Sequence, residues 1–144
     1  MSGMQHKLTR IERLRSMEQN KLNSLAVELS AIELQIAEQG KQLTGLKNQM
    51  EKMSTNRDSY SVDAHQQAML WVEHLQSQAV SLKQKIQETE SKRNEIRNTV
   101  MEQKTKVRGW ELYIDRLSAE AAGESERQES LIADDRHLNN PMTR

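Results

Sequence analysis

The strongest constraint on this chain is a rhythm of apolar residues. Leu22, Leu25, Leu29, Ile32, Ile36, Leu43, Leu46, Met50 and Met53 follow one another in steps of three and four, with Gln39 in the one polar slot. That spacing is a heptad seam, with position a at Leu22 and d at Leu25. A second seam runs through Ala68, Val72, Leu75, Ala79, Leu82, Ile86, Thr89, Arg93, Ile96, Val100, Gln103, Val107, Trp110, Ile114, Leu117 and Ala121. Two such stripes predict two long helices that bury a narrow face against each other. Composition supports this. Only 3% of residues are aromatic, Phe is absent and the single Pro is Pro141. A thick globular core cannot be built from that inventory, whereas long helices can.

The helix boundaries follow from where the rhythm breaks. The first helix is expected over about residues 4–53. The seam extends backwards through Leu8, Ile11, Arg15 and Glu18, so an early start near Ser2 is favoured over a capping box at Thr9 to Glu12. Residues 54–61 are polar and rich in side chains that compete for backbone hydrogen bonds, which predicts a loop. Ser61 is the expected N-cap of the second helix, with Asp63 in its first turn. That helix is expected over about 62–135, with a frayed tail at 136–144 after Asn139-Asn140-Pro141. Gly40, Gly45, Gly109 and Gly123 are soft points, each costing about 1 kcal/mol relative to Ala.

Two heptad helices joined by a short polar loop form an antiparallel hairpin. The fold class is therefore all-α: one coiled-coil domain, a two-helix hairpin with a longer C-terminal helix. The preferred register sets Leu22 by Ile96, Ile32 by Ile86, Ile36 by Leu82, Leu43 by Leu75 and Leu46 by Val72, and stacks Arg15 with Gln103. A shift of one heptad would pair Glu18 with Arg93, but it leaves only Ser54 to Arg57 for the turn. In the preferred register Leu8 faces Trp110, so residues beyond Leu117 have no helical partner in the chain. A fully buried aliphatic side chain contributes roughly 1.5–3 kcal/mol, against about 1–2 kcal/mol per residue of backbone ordering. A hairpin of this composition is marginal alone and gains from a partner.

Charge and motifs narrow the function. The formal net charge is zero, with 21 basic residues against 21 acidic. The zero hides a polarity. Lys7, Arg10, Arg13 and Arg15 outnumber Glu12 by three; Lys92, Arg93, Arg97, Lys104, Lys106 and Arg108 outnumber Glu95 and Glu102 by four. Residues 111–135 then hold eight acidic and two basic residues. These basic stretches lack the interleaved aromatics of a nucleic-acid surface and fit a protein partner better. There is no Cys and hence no thiolate metal site. His6, His65, His74 and His137 are scattered without ligand spacing, and Asp134-Asp135 reads as a solvated helix end. No phosphate loop or nucleophile elbow is present, so neither cofactor nor enzymatic activity is expected. No apolar run reaches the ~20 residues of a membrane span, and the start lacks a secretory h-region, which predicts a cytoplasmic protein. Off the seams lie Leu14, Val27, Leu34, Leu70, Trp71, Val80, Met101, Leu112 and Tyr113. Trp71 with Met69 and Leu70, and Leu112 and Tyr113 beside Trp110, are the natural anchors for a partner.

Two stretches carry a family resemblance. Ala68-Met69-Leu70-Trp71-Val72-Glu73-His74-Leu75 resembles the aromatic-and-leucine opening of the second helix in the FliJ family of flagellar type III export proteins. The related YscO stalk proteins of virulence secretion are close kin of that family. Lys104 to Asp135, with Lys106, Trp110-Glu111-Leu112, Arg116, Glu126, Glu129 and Asp134-Asp135, resembles the family's charged signature region. The resemblance implies a non-enzymatic stalk that promotes assembly and turnover of a hexameric export ATPase. It implies contact with the export gate membrane protein and with export chaperones, at the inner face of the cell membrane. Carried over by position, Arg10, Arg13, Lys104, Lys106, Arg108 and Trp110 would face the ATPase, and Trp71 and Leu75 the gate. A self-associating coiled-coil scaffold unrelated to export is the alternative, and the oligomeric state, monomer or weak self-association, stays open.

Overall fold

A computed structural model describes residues 2–55 and 61–138. The chain forms two helices, α1 (Ser2–Thr55) and α2 (Val62–Leu138), packed as a hairpin with the longer helix second. No strand occurs among the described residues. Both helices run further than expected at their ends. Thr55 is still helical, and α1 passes through Thr9, whose hydroxyl donates to the Gln5 carbonyl at 3.0 Å and caps nothing. Ser61 is the N-cap: its Oγ accepts from the Ala64 amide at 3.3 Å, and its carbonyl accepts from the His65 amide at 2.8 Å. Asp63 lies in the first turn, where the helix dipole favours an acid. The expected loop falls mostly, and the expected tail largely, outside the described residues.

The seam residues are withdrawn from solvent. Along α1 every one from Leu8 to Met53 is half-buried or buried, and along α2 every one from Ala68 to Ala121. Packing divides the chain into two units, Ser24–Val100 and Met1–Asn23 with Met101–Arg144. We call them the loop unit and the terminal unit.

In the loop unit the core contains Leu75, Ala79 and Val100, with Leu75 the most deeply buried at 2% exposure. Thr89 is buried too, and it donates its hydroxyl to the Lys85 carbonyl one turn back at 2.8 Å. The register expected from sequence does not hold here. Arg97 pairs with Glu33 at 3.4 Å. The expected register would leave Glu33 about 18 Å along α1 from the point opposite Arg97, beyond the reach of an arginine. Two grooves also place Leu82 beside α1 residues between Ala31 and Gln49, a span centred past Ile36. Both observations displace the pairing by about one heptad, in the sense opposite to the shift considered above.

In the terminal unit Ile11, Gln103, Val107 and Leu117 are buried. The Gln103 amide donates to the Glu18 backbone carbonyl at 2.9 Å and to the Glu18 carboxylate. Arg15 was the expected neighbour of Gln103, but a guanidinium offers no acceptor for an amide N–H, and the acid one turn on offers two. Met4 lines a groove with Arg116, Ala119, Glu120, Gly123, Glu124 and Arg127. The partnered part of α2 therefore extends well past Leu117. Partial burial continues to Gln128, and residues 129–136 are all exposed.

Candidate functional site

The terminal unit brings together most of the basic residues singled out in the sequence. Lys7, Arg10 and Arg13 from α1, and Lys104, Lys106 and Arg108 from α2, are all exposed. They lie off the seam because heptad packing reserves a and d for the buried stripe and leaves the rest of each helix to solvent. Arg13 lines an open groove with Glu12, Met17, Glu111, Ile114 and Asp115. Arg108 pairs with Glu111 at 3.5 Å, but both side chains are largely solvated. A pair of that kind is worth about 0–1 kcal/mol and leaves the cation accessible. No ion pair within 4.0 Å engages Arg10, Arg13, Lys104 or Lys106 among the described residues.

Three of the basic residues singled out lie elsewhere. Lys92, Arg93 and Arg97 belong to the loop unit. Arg93 is half-buried on the seam and turns its guanidinium to Asn94, while Arg97 forms an exposed pair with Glu33.

On the seams of the terminal unit sits the Glu18–Gln103 pair, two residues that the expected register does not bring together. The Gln103 hydrogen bond holds the Glu18 carboxyl below its ordinary value of 4.5, and Lys21 and Lys106 add to the effect against a desolvation that opposes it. Lys21 approaches Glu18 at 3.5 Å. The signal that could have found this pair was two polar side chains of complementary hydrogen-bonding type on facing seams.

Trp110 is half-buried at its seam position, and Tyr113 packs edge-on against it with ring centroids 6.4 Å apart. That contact withdraws Tyr113 from solvent although it lies off the seam. Leu112 stays 52% exposed.

In the loop unit Trp71 is 50% exposed, with Met69 and Leu70 exposed beside it, and its ring lies 5.3 Å from that of His74. Leu75, expected to share this surface, does not belong to it. It is the most buried side chain of the core and is out of reach of a partner.

The described residues contain no group of three or more His, Asp or Glu side chains placed to hold a metal ion. No described helix is long and apolar enough to cross a membrane. Asp134 and Asp135 are exposed, as expected of a solvated helix end. Comparison of the chain with protein-family models, with curated proteins and with solved structures finds no match.

Proposed function

We propose that this chain is a non-enzymatic stalk and adaptor of a flagellar type III export apparatus, working in the cytoplasm at the inner face of the membrane. Its exposed basic residues, Arg10, Arg13, Lys104, Lys106 and Arg108, would engage the hexameric export ATPase, with Trp110 at the margin. Trp71, with Met69 and Leu70, would meet the export gate, and empty export chaperones would be further partners. The observation that carries this reading is the gathering of exposed cations from both helices into one unit, with Lys104, Lys106 and Arg108 on the stretch of α2 that resembles the FliJ signature region. A stalk needs no cleft, only a stiff helical pair with its charges turned outward, and such charges favour fast and selective docking.

The test is ATP hydrolysis by the cognate export ATPase with and without the protein. The expected result is faster turnover at concentrations where the hexamer is incompletely assembled. Absence of both binding and any change in turnover would reject the proposal.

A second reading, a self-associating scaffold unconnected with export, is favoured by Val27 and Leu34. These stand one heptad apart on the outer side of α1 and are 71% and 69% exposed. It predicts assembly of the chain alone and no effect on the ATPase.

A further inference from the structure

We infer that two copies of this chain pair through the outer side of α1, antiparallel, about a two-fold axis between Leu25 and Ala26. The inference rests on the exposed Val27 and Leu34 of the second reading, and it holds whether or not the chain serves export. On the side of α1 away from the buried seam runs a second row in steps of three and four: Met17, Asn20, Ser24, Val27, Ala31 and Leu34. All six are exposed and none is charged. Met17, Val27 and Leu34 are 57%, 71% and 69% exposed. With 3.6 residues per turn the six fall within about 100° of one another, the width of a stripe that packs against another element.

The charges at the two ends of the row identify the occupant. The same spacing continues to Arg13 at one end and to Glu38 at the other, and both are exposed. On one continuous helix they are separated by about 37 Å, so they cannot meet within a chain. Two antiparallel copies bring them together twice, because a two-fold contact is self-complementary. Arg13 of each copy then faces Glu38 of the other, with Met17 facing Leu34, Asn20 facing Ala31 and Ser24 facing Val27. Ser24 and Ala31 are small, and the distance between packed helices follows the side chains at the contact. Lys21 and Glu28 lie along one flank of the row, and this pairing sets each beside the other's counterpart. Lys21 approaches Glu18 but stays 63% exposed. No ion pair within 4.0 Å engages Arg13, Glu28 or Glu38 among the described residues. Sliding one copy by a heptad sets Glu28 against Glu28 in one direction and Lys21 against Lys21 in the other. The uncharged row supplies the contact, and the charges select one register. Arg13 is also assigned above to the ATPase, so a second copy and that partner compete for it.

The experiment is sedimentation velocity on the full chain at low salt, with helicity checked by circular dichroism. The wild-type chain should be dimeric. Arg13→Glu/Lys21→Glu and Glu28→Lys/Glu38→Lys should each be monomeric with unchanged helicity. Mixed together they should form a heterodimer, because reversing opposite ends restores all four matches. The chain has no Cys, so register can be read from disulfides: Met17→Cys mixed with Leu34→Cys should give a covalent dimer, and neither variant alone should. A monomeric wild-type chain would overturn this dimer and the second reading together. A dimer that both reversals leave intact, or a mixture that stays monomeric, would overturn this contact and leave that reading standing. The export reading, tested on the ATPase, is untouched by either result.

Discussion

The loop unit and the terminal unit bury the same heptad stripe, but they treat its polar interruptions differently. In the loop unit Thr89 satisfies itself on its own helix through the Lys85 carbonyl, and the buried Gln39 Oε1 finds no donor among the described residues. In the terminal unit Glu18 and Gln103 satisfy each other across the helices. A polar residue bonded within its own helix is indifferent to the position of the partner helix. A pair bonded across the seam is lost on any slip. On its seam the loop unit is thus held by aliphatic packing, with the Arg97–Glu33 pair exposed and off the seam, whereas the terminal unit has a register lock on the seam itself. This ordering of effects can be broken by experiment.

The largest loss should come from Leu75→Ala. Truncating the most buried side chain of the loop unit removes packing and leaves a cavity, at about 2–5 kcal/mol. A urea titration followed by circular dichroism checks this, and a loss below about 1 kcal/mol would mean that the site is not a packed core.

Next comes Gln103→Leu in the terminal unit, expected to lower the urea midpoint by less than Leu75→Ala. Its sign with pH is specific. The folded-state pKa of Glu18 is depressed chiefly by the Gln103 hydrogen bond, so the stabilisation is present above the ordinary value of 4.5. It is lost as pH falls from there through the folded value. The gap between wild type and Gln103→Leu should therefore narrow in acid. A gap that widens below pH 4.5 would contradict the assigned pair.

Gly40→Ala and Gly45→Ala in the loop unit, and Gly109→Ala and Gly123→Ala in the terminal unit, should stabilise by about 1 kcal/mol each. An added Cβ meets nothing within 4 Å at any of the four, and no glycine has a positive φ. Thermal melts that show one unit gaining and the other not would reveal that the two unfold separately. The smallest effect belongs to Glu33→Ala, which breaks an exposed ion pair worth about 0.2–1 kcal/mol.

What was legible in the sequence follows the same physics. Spacing alone identified every half-buried seam position from Leu22 to Met53, and the composition of Ser61-Val62-Asp63 identified the helix start. Register was not legible from spacing, because a shift of seven residues returns every seam residue to the seam. Only sparse pairs such as Glu33–Arg97 separate one heptad from the next, and both lie outside a and d. Leu75 was assigned two roles, core and partner surface, and its 2% exposure leaves only the first. Trp71 escaped that conflict because it lies off the seam. Lys92 to Arg108 counts as one basic stretch in the sequence, but of its basic residues only Lys104, Lys106 and Arg108 fall in the terminal unit. Lys92, Arg93 and Arg97 fall in the other unit, where the seam takes Arg93 and Glu33 takes Arg97.

The claim that function rests on the terminal unit is tested most directly by binding to the cognate export ATPase. Three proteins would be compared: the wild-type chain, Lys104→Glu/Lys106→Glu/Arg108→Glu and Trp71→Ala. The account predicts that charge reversal weakens binding by at least about tenfold, equivalent to about 1.4 kcal/mol, while Trp71→Ala binds as the wild type does. Undiminished binding by the charge-reversed chain, or loss of binding on Trp71→Ala alone, would contradict it.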